Sequence, residues 1–520
     1  ALVIVVSRFL WRFFVFGTAR YVEQDLRSAL FAQLLRLPAS FYHQHKTGDL
    51  MAMATNDLQA VRGVSGEGIL MSADATMLTL ITLTAMTSSI GWRLSALALI
   101  PLPFLAIAAL MFGRFMHVRY RAVQDTFGKL SDVTQENIGG MRVVKAFGQE
   151  LAEEAKFDVA NRTYVAKFMS MVRVHGIIEP TIQLLAGICF VLAIIFPGRA
   201  ALRGEIQLGA FVSLTMYIGM LIWPMLAMGW MVNIFQRGSA SFRRIREVLV
   251  LEPEAPSSAN VEIPQVLPLS GRLEFKNLTF QYPGKRVPAL DGVNITAQPG
   301  QTIGIIGRTG SGKSTLVALL ARVFNPPRGT IFVDGADVLD IPLAALRESI
   351  AFVPQEAFLF SRTVGQNIGL APGDWTESQI HEAARSAQVE TDILEFLPQG
   401  YETMVGERGV TLSGGQRQRV GLSRAMLKNA PILVLDDCMS AVDTNTEARI
   451  LSGLRPIMKE RTTVVISHRV AAVRAADQII VLENGRIVEA GNHEQLLNMQ
   501  GRYYRTHQRQ QLEESIASVE

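Results

Sequence analysis

The stretch Gly307-Arg308-Thr309-Gly310-Ser311-Gly312-Lys313-Ser314 constrains this chain more than any other. It follows the apolar run Ile303-Gly304-Ile305-Ile306 and opens into Thr315-Leu316-Val317-Ala318-Leu319-Leu320. That order predicts strand, glycine-rich turn and helix, with the G-x-x-x-x-G-K-S spacing of a phosphate-binding loop. The glycines let backbone N–H groups curl around an anion. The helix N-terminus aims partial positive charge at the same point. Lys313 is placed to neutralise the outer phosphates and the Ser314 hydroxyl to ligate Mg²⁺. A glycine turn with a chance lysine would not carry both a flanking strand and a flanking helix. The stretch is therefore read as a nucleoside-triphosphate site.

A chain of 520 residues should hold more than one domain. Its apolar residues crowd the first half, where five segments approach the roughly twenty residues that span a bilayer. They fall near 1–20, 68–91, 94–115, 174–197 and 208–234. The loops 20–64 and 114–173 are long and basic, whereas the links near 91–93 and 198–207 are short. Positive loops stay on the cytoplasmic side, so the second half is expected there too. A net charge of +4 on so long a chain is slight, and no nucleic-acid partner is expected. Cys189 and Cys438 make no disulfide framework and suit a reducing interior. No basic lead-in or cleavage site marks a signal peptide at the start. An odd number of spans, with the chain opening inside an apolar run, reads as a missing first span.

Helical periodicity continues through Leu26–Leu35 and Val143–Asp158, so the spans are expected to extend as helices below the membrane. Arg8 and Arg12 share one helical face within the first apolar segment. Charge at that depth suggests function; the structural alternative is snorkelling, or pairing with Asp74 or Glu179. Met216, Met220, Trp223, Met225, Met228, Trp230 and Met231 enrich the last span. Such pliable side chains suit a broad apolar binding site or plain packing equally well.

Proline, serine and asparagine mark 250–270 as a linker. It separates a transmembrane domain, 1–249, from a nucleotide-binding domain, 271–510, with a polar tail at 511–520. Leu273–Phe280 alternates like a strand. It leads to Tyr282, a ring that either stacks on adenine or only packs. Pro431-Ile432-Leu433-Val434-Leu435-Asp436-Asp437 describes a buried strand whose tip reaches a phosphate-bound metal. Asp436 is then the Mg²⁺ ligand, and Asp437 stands where a water-activating carboxylate belongs. Thr411-Leu412-Ser413-Gly414-Gly415-Gln416-Arg417-Gln418-Arg419 is a glycine turn feeding a helix, a second N-terminus able to face an anion.

Leu412-Ser413-Gly414-Gly415-Gln416 resembles the signature of ABC transporter ATPases. Gln355 in Val353-Pro354-Gln355, Asp443 in Ser440-Ala441-Val442-Asp443 and His468 in Ile466-Ser467-His468-Arg469 follow that family's order. Tyr282 matches its adenine-stacking aromatic, and Val405-Gly406-Glu407-Arg408-Gly409 a stretch found in exporters. Phe41-Tyr42 with Thr47-Gly48-Asp49-Leu50 and Thr55-Asn56-Asp57 resembles the first cytoplasmic loop, and Val144-Lys145-Ala146-Phe147 the second. The resemblance covers nearly the whole chain. It implies a type IV, exporter-type half-transporter: an α-helical transmembrane domain fused to an α/β P-loop ATPase domain.

The resemblance further implies a dimer sharing two ATPs, each held by one subunit's phosphate loop and the other's signature. Gly307, Arg308, Thr309, Gly310, Ser311, Gly312, Lys313, Ser314 and Thr315 then bind ATP. Ser314, Gln355 and Asp436 hold Mg²⁺, and Asp437, His468 and Gln355 act in hydrolysis. Ser413, Gly414, Gly415 and Gln416 serve the opposite nucleotide. Closing the sandwich would move the membrane helices through residues near 52–58 and 147–150, an alternating access driven by differential ATP binding.

One position departs from the family. Functional ATP sites carry glutamate where this chain has Asp437. One methylene fewer draws the carboxylate back from the attacking water, and a positioned base contributes typically about 10²–10⁴-fold. His468 and the signature are intact. The pattern resembles one subunit of heterodimeric, multidrug-type bacterial exporters, as do Leu221-Ile222-Trp223-Pro224-Met225-Leu226-Ala227-Met228 and Arg237-Gly238-Ser239-Ala240. The expectation is ATP-driven export of an amphipathic small molecule or lipid across the bacterial cytoplasmic membrane, beside a different half-transporter. Rival readings are a homodimeric lipid flippase and an ATP-binding regulatory clamp that transports nothing. The apolar first half excludes a soluble nucleic-acid-associated ATPase. Composition does not resolve the substrate.

Overall fold

In the computed structural model, residues 2–254, 269–406 and 412–517 are described. Residues 255–268 of the expected linker 250–270, residues 407–411 before the signature and the last residues of the tail lie outside them. The chain divides into two compact units: Ala1–Leu37 with His45–Glu252, and Pro38–Gln44 with Pro253–Glu520. The short helix Ala39–Gln44, from the first loop, thus groups with the second unit.

The first unit is helical. Among the described residues, five helical stretches are long and apolar enough to cross a membrane. A low-dielectric bilayer leaves no solvent for unpaired backbone groups, so helix is the form such apolar runs take. Glu150–Leu202 runs 53 residues and Leu102–Gly139 38. At 1.5 Å per residue the former reaches about 80 Å, well beyond a bilayer's hydrocarbon core of about 30 Å. A helix of that length extends beyond the hydrocarbon core, and Leu26–Leu35, whose periodicity predicted helix, lies within Leu2–Arg36.

Val143–Asp158 is not one helix. Met141–Phe147 stops at Gly148, whose φ of +61° is left-handed, and Glu150 begins the next helix. The third span is also interrupted. Trp92–Leu99 ends before Pro101, and Leu102–Gly139 starts anew with proline in its first turn. Proline lacks the N–H that would have continued the ladder. Arg8 and Arg12 are exposed, and among the described residues no ion pair links them to Asp74 or Glu179. Glu179 instead accepts from Gln183 Nε2 at 3.1 Å.

A polar latch holds the lower part of this unit. Asp57, from the Thr55-Asn56-Asp57 run, is 3% exposed in a turn of π-helix. It accepts from Ser241 Oγ at 2.8 Å and pairs with Arg244, both on the last helix, Leu208–Leu249. The same helix packs close enough that a Cβ on Gly238 would meet Val64 Cγ2 at 2.1 Å.

The second unit is α/β. Its strands are β1 (Leu273–Phe280), β2 (Leu290–Ala297), β3 (Thr302–Gly307), β4 (Ile331–Val333), β5 (Ala336–Asp337), β6 (Ile350–Val353), β7 (Ile432–Asp436), β8 (Thr462–Ile466), β9 (Gln478–Glu483) and β10 (Arg486–Gly491). β2-β1-β4-β5 form an antiparallel sheet, and β10-β9-β3-β8-β7-β6 a second in which only β10 runs antiparallel. β7 and β8 are buried at every position, which explains why, apart from Asp436 at the tip of β7, their residues are apolar or threonine. Leu316, Val317, Leu319 and Leu320, from the helix Lys313–Leu320, join β3 in one core between the sheets.

The register of the parallel sheet gathers the chemistry. Asp436 pairs with Ile466, Ile305 with Ile466 and Val353 with Leu435. The carboxyl ends of β3, β6, β7 and β8 therefore lie along one edge, where ligands of open parallel sheets bind.

Candidate functional site

At that edge lies a cavity of ≈ 290 Å³, lined by Tyr282, Ala289, Thr309, Gly310, Gly312, Lys313, Ser314, Thr315, Gln355, Asp436, Asp437, Ile466 and His468. The structure thus brings together residues that come from four strand ends and the phosphate loop. Gly312 has φ +104°, and a Cβ there would sit 2.5 Å from Ala289 O. Only glycine fits such a turn without strain.

Lys313 is buried, and its ammonium donates to Gly307 O at 2.9 Å and Arg308 O at 3.0 Å. Burial lowers its pKa, opposed by the carboxylates of Asp437 and Asp436. An ammonium held on two carbonyls in a desolvated loop is prepared for a polyanion. Arg308, Thr309 and Gly310 are exposed at the rim, while Ser311 is buried with its Oγ unpartnered among the described residues. Gly307 closes β3.

Ser314 Oγ donates to Asp436 Oδ1 at 3.0 Å. Burial raises the Asp436 pKa, with the Ser314 hydrogen bond acting against it and Asp437 adding to it. A hydroxyl and a desolvated carboxylate converging at the phosphate loop are hard oxygen donors, the set that takes Mg²⁺ together with substrate phosphates. The residues fit that ion. Gln355 Nε2 donates to Asp437 Oδ2 at 3.5 Å, and His468 Nε2 lies 4.0 Å from the same oxygen. Asp437 is 8% exposed with φ +45°. Aspartate is among the few side chains enriched in that left-handed region.

Tyr282 stands at the cavity wall. Phe280 and Phe324 meet its ring edge-on, both at 5.1 Å, and its hydroxyl is 3.1 Å from Thr315 Oγ1. His43, on the short helix Ala39–Gln44, stacks on Phe324 at 5.3 Å. The ring is thus braced from behind.

Ser413, Gly414, Gly415 and Gln416 do not line this cavity. Ser413 caps the helix Gly414–Leu427 through a capping box with Gln416: Gln416 N–H to Ser413 Oγ at 3.2 Å, Ser413 N–H to Gln416 Oε1 at 2.9 Å. A Cβ on Gly415 would stand 3.0 Å from Ala441 O. Asp443 caps the next helix by accepting from Thr446 N–H at 2.9 Å. Of the exporter-like stretch Val405–Gly409, residues 407–409 lie outside the described residues.

Sequence reasoning missed several residues that hold the site. Buried Gln418 donates to Gln355 O at 3.3 Å and Ser440 Oγ at 3.0 Å, and accepts from Ala441 N–H at 3.0 Å. It joins the signature helix to two flanking loops. Its spacing five residues after Ser413 carries no such signal. Phe280 could have been suspected from its place two residues before Tyr282; Phe324 could not.

Fold and cavity together define a membrane-spanning P-loop ATPase. Residues 1–225 match the ABC transporter transmembrane region and residues 290–440 the ABC transporter domain. The chain is 40% identical to the probable multidrug resistance ABC transporter ATP-binding/permease protein YheI of Bacillus subtilis (98% of this chain, 86% of that protein). It is 40% identical to the multidrug resistance-like ATP-binding protein MdlA of Escherichia coli (99% and 87%). The ATP-dependent lipid A-core flippase of Aromatoleum aromaticum is 38% identical (97% and 83%). A bacterial Atm1-family ABC exporter solved with ATP bound superposes with TM-score 0.81 at 27% identity, over 95% of this chain and 86% of that one. The chain belongs to the ABC transporter family and is an exporter-type half-transporter.

Proposed function

We propose that this chain is the slow-site subunit of a two-chain pump, in which ATP hydrolysis moves amphipathic or lipophilic compounds outward across the bacterial cytoplasmic membrane. The observation that carries the reading is Asp437. Its carboxylate sits buried beside Gln355, with His468 at 4.0 Å, and a side chain one methylene shorter than glutamate would stand back from an attacking water. A displacement near 1 Å costs about 10²-fold in a positioned reaction.

In this reading the backbone of the phosphate loop and Lys313 bind the triphosphate, and Tyr282 stacks on the base. Ser314, Asp436 and Gln355 hold Mg²⁺, which supplies charge neutralisation on the phosphates. His468 contacts the outermost phosphate. The signature residues Ser413, Gly414, Gly415 and Gln416 stand away from their own cavity, as expected if they complete the site of a partner chain. That partner would carry glutamate after its metal-binding aspartate. Exposed Met216, Met220, Trp223 and Trp230 on the last span offer an apolar, adaptable surface to the cargo.

Co-expression with a candidate partner half-transporter that carries glutamate after its metal-binding aspartate tests the pairing. One-to-one copurification with faster ATP turnover than either chain alone supports it. A second reading, a homodimeric lipid flippase, draws on the lipid A-core flippase relative. Brisk ATPase activity from this chain alone, stimulated by lipid, would favour that one.

A further inference from the structure

Outside the lining of the nucleotide cavity, one side chain reaches the loop that carries His468. Gln510 lies in the C-terminal helix Arg502–Ala517. Its amide oxygen accepts from the backbone N–H of Val470 at 2.8 Å, and its amide nitrogen donates to the carbonyl of His468 at 2.7 Å. A primary amide offers one acceptor and two donors at fixed spacing, so a single side chain grips both peptide groups at once.

The loop needs that grip. Val470 opens the four-residue helix Val470–Val473, so its N–H is one of the donors a helix start leaves without an intrahelical acceptor. On its other side the loop is tied to the helix Thr444–Lys459. Arg469 Nη1 donates to Val442 O at 3.2 Å and pairs with Glu447, which is 3% exposed. Ser467 Oγ accepts from Arg469 N–H at 3.0 Å.

The base of the C-terminal helix is firm. Tyr503 is fully buried, its hydroxyl is 2.8 Å from His493 Nδ1, and its N–H donates to Glu489 Oε2 at 3.0 Å. Gln510 follows seven residues later, two turns on and on the same face. A rigidly anchored helix therefore presents the amide to the loop.

We propose that Gln510 is a positioning residue for ATP hydrolysis, fixing the main chain of His468 so that its imidazole meets the outermost phosphate. The proposal rests on the reading of His468 given above. Gln510 does not line the nucleotide cavity, so its loss should slow turnover without weakening ATP binding.

The test uses the full chain assembled with its partner. Turnover is read at this chain's own pocket; where the partner is a different chain, its phosphate-loop lysine is replaced by alanine. Gln510→Met keeps length and helix propensity but removes both hydrogen bonds. Gln510→Glu keeps the acceptor for Val470 and sets a second acceptor against the His468 carbonyl. Both should lower kcat roughly tenfold, with the ATP KM and the affinity for a fluorescent ATP analogue within about twofold of wild type. In a His468→Ala background Gln510→Met should add no further loss. Unchanged kcat in Gln510→Met, a loss that persists in His468→Ala, or a matching fall in ATP affinity would each overturn the proposal. If His468→Ala itself turns over at the wild-type rate, the role given to His468 fails, and the proposal with it.

Discussion

Ser314 Oγ donates to Asp436 Oδ1 across 3.0 Å, joining residues 122 positions apart. The bond exists because β3 and β7 flank β8 in one parallel sheet and end at the same edge. It leaves a buried carboxylate at a strand end beside a loop built for phosphate, and stability should register the cost.

Burial raises the Asp436 pKa above the ordinary carboxylate value. The folded protein therefore keeps this proton to higher pH than the unfolded chain does. Stability falls as pH rises from the unfolded value through the raised one, and above it the penalty is fully present. Asp436→Asn removes the penalty. Without nucleotide, the variant's unfolding midpoint should exceed that of wild type by a margin that grows from about pH 4 and then levels off. Hydrolysis should fall at least about 100-fold if, as proposed, Asp436 is a direct ligand of the metal. Tryptophan-monitored melts across pH, with parallel ATPase assays, check both halves.

Two glycine substitutions should separate the chain's own site from its partner's. Gly312→Ala drives a Cβ to 2.5 Å from Ala289 O at a left-handed φ, a strain of about 1–3 kcal/mol. ATP binding to this chain should be lost. Gly415→Ala crowds Ala441 O at 3.0 Å in the signature region. Binding to this chain's own loop should persist while turnover at the opposite site falls. Photo-crosslinking of a labelled ATP analogue to each subunit reads binding, and phosphate release from the assembled transporter reads turnover.

The braced ring of Tyr282 predicts a graded series. Tyr282→Phe keeps the edge-on contacts with Phe280 and Phe324 and loses the Thr315 hydrogen bond, worth about 1 kcal/mol. Tyr282→Ala removes the stacking surface, worth about 1–3 kcal/mol. Affinity for ATP should drop less than about tenfold in the first and more in the second, by fluorescence titration.

Local features were legible in the chain itself. The phosphate loop declared its strand, turn and helix because all three are contiguous, and the apolar run before Asp436 could only be a buried strand. The convergence of Gln355, Asp436 and His468 was expected through family resemblance, since sheet order is not a local property. Gly148 split a helix that periodicity had run together, because hydrophobic spacing does not sense one left-handed residue. Gln418 and Gln510 stayed hidden for another reason. Each acts by gripping main-chain atoms of distant loops, and such bonds impose no pattern on neighbouring residues.

The most direct test of unequal sites is turnover at this chain's own pocket, measured in the assembled transporter before and after Asp437→Glu. Restoring the missing methylene should raise the rate by roughly 100-fold or more, the contribution expected of a well-placed general base. Little change in ATP affinity should accompany it. A wild-type pocket that already hydrolyses briskly, or a variant no faster than wild type, would contradict the assignment of this chain as the slow partner.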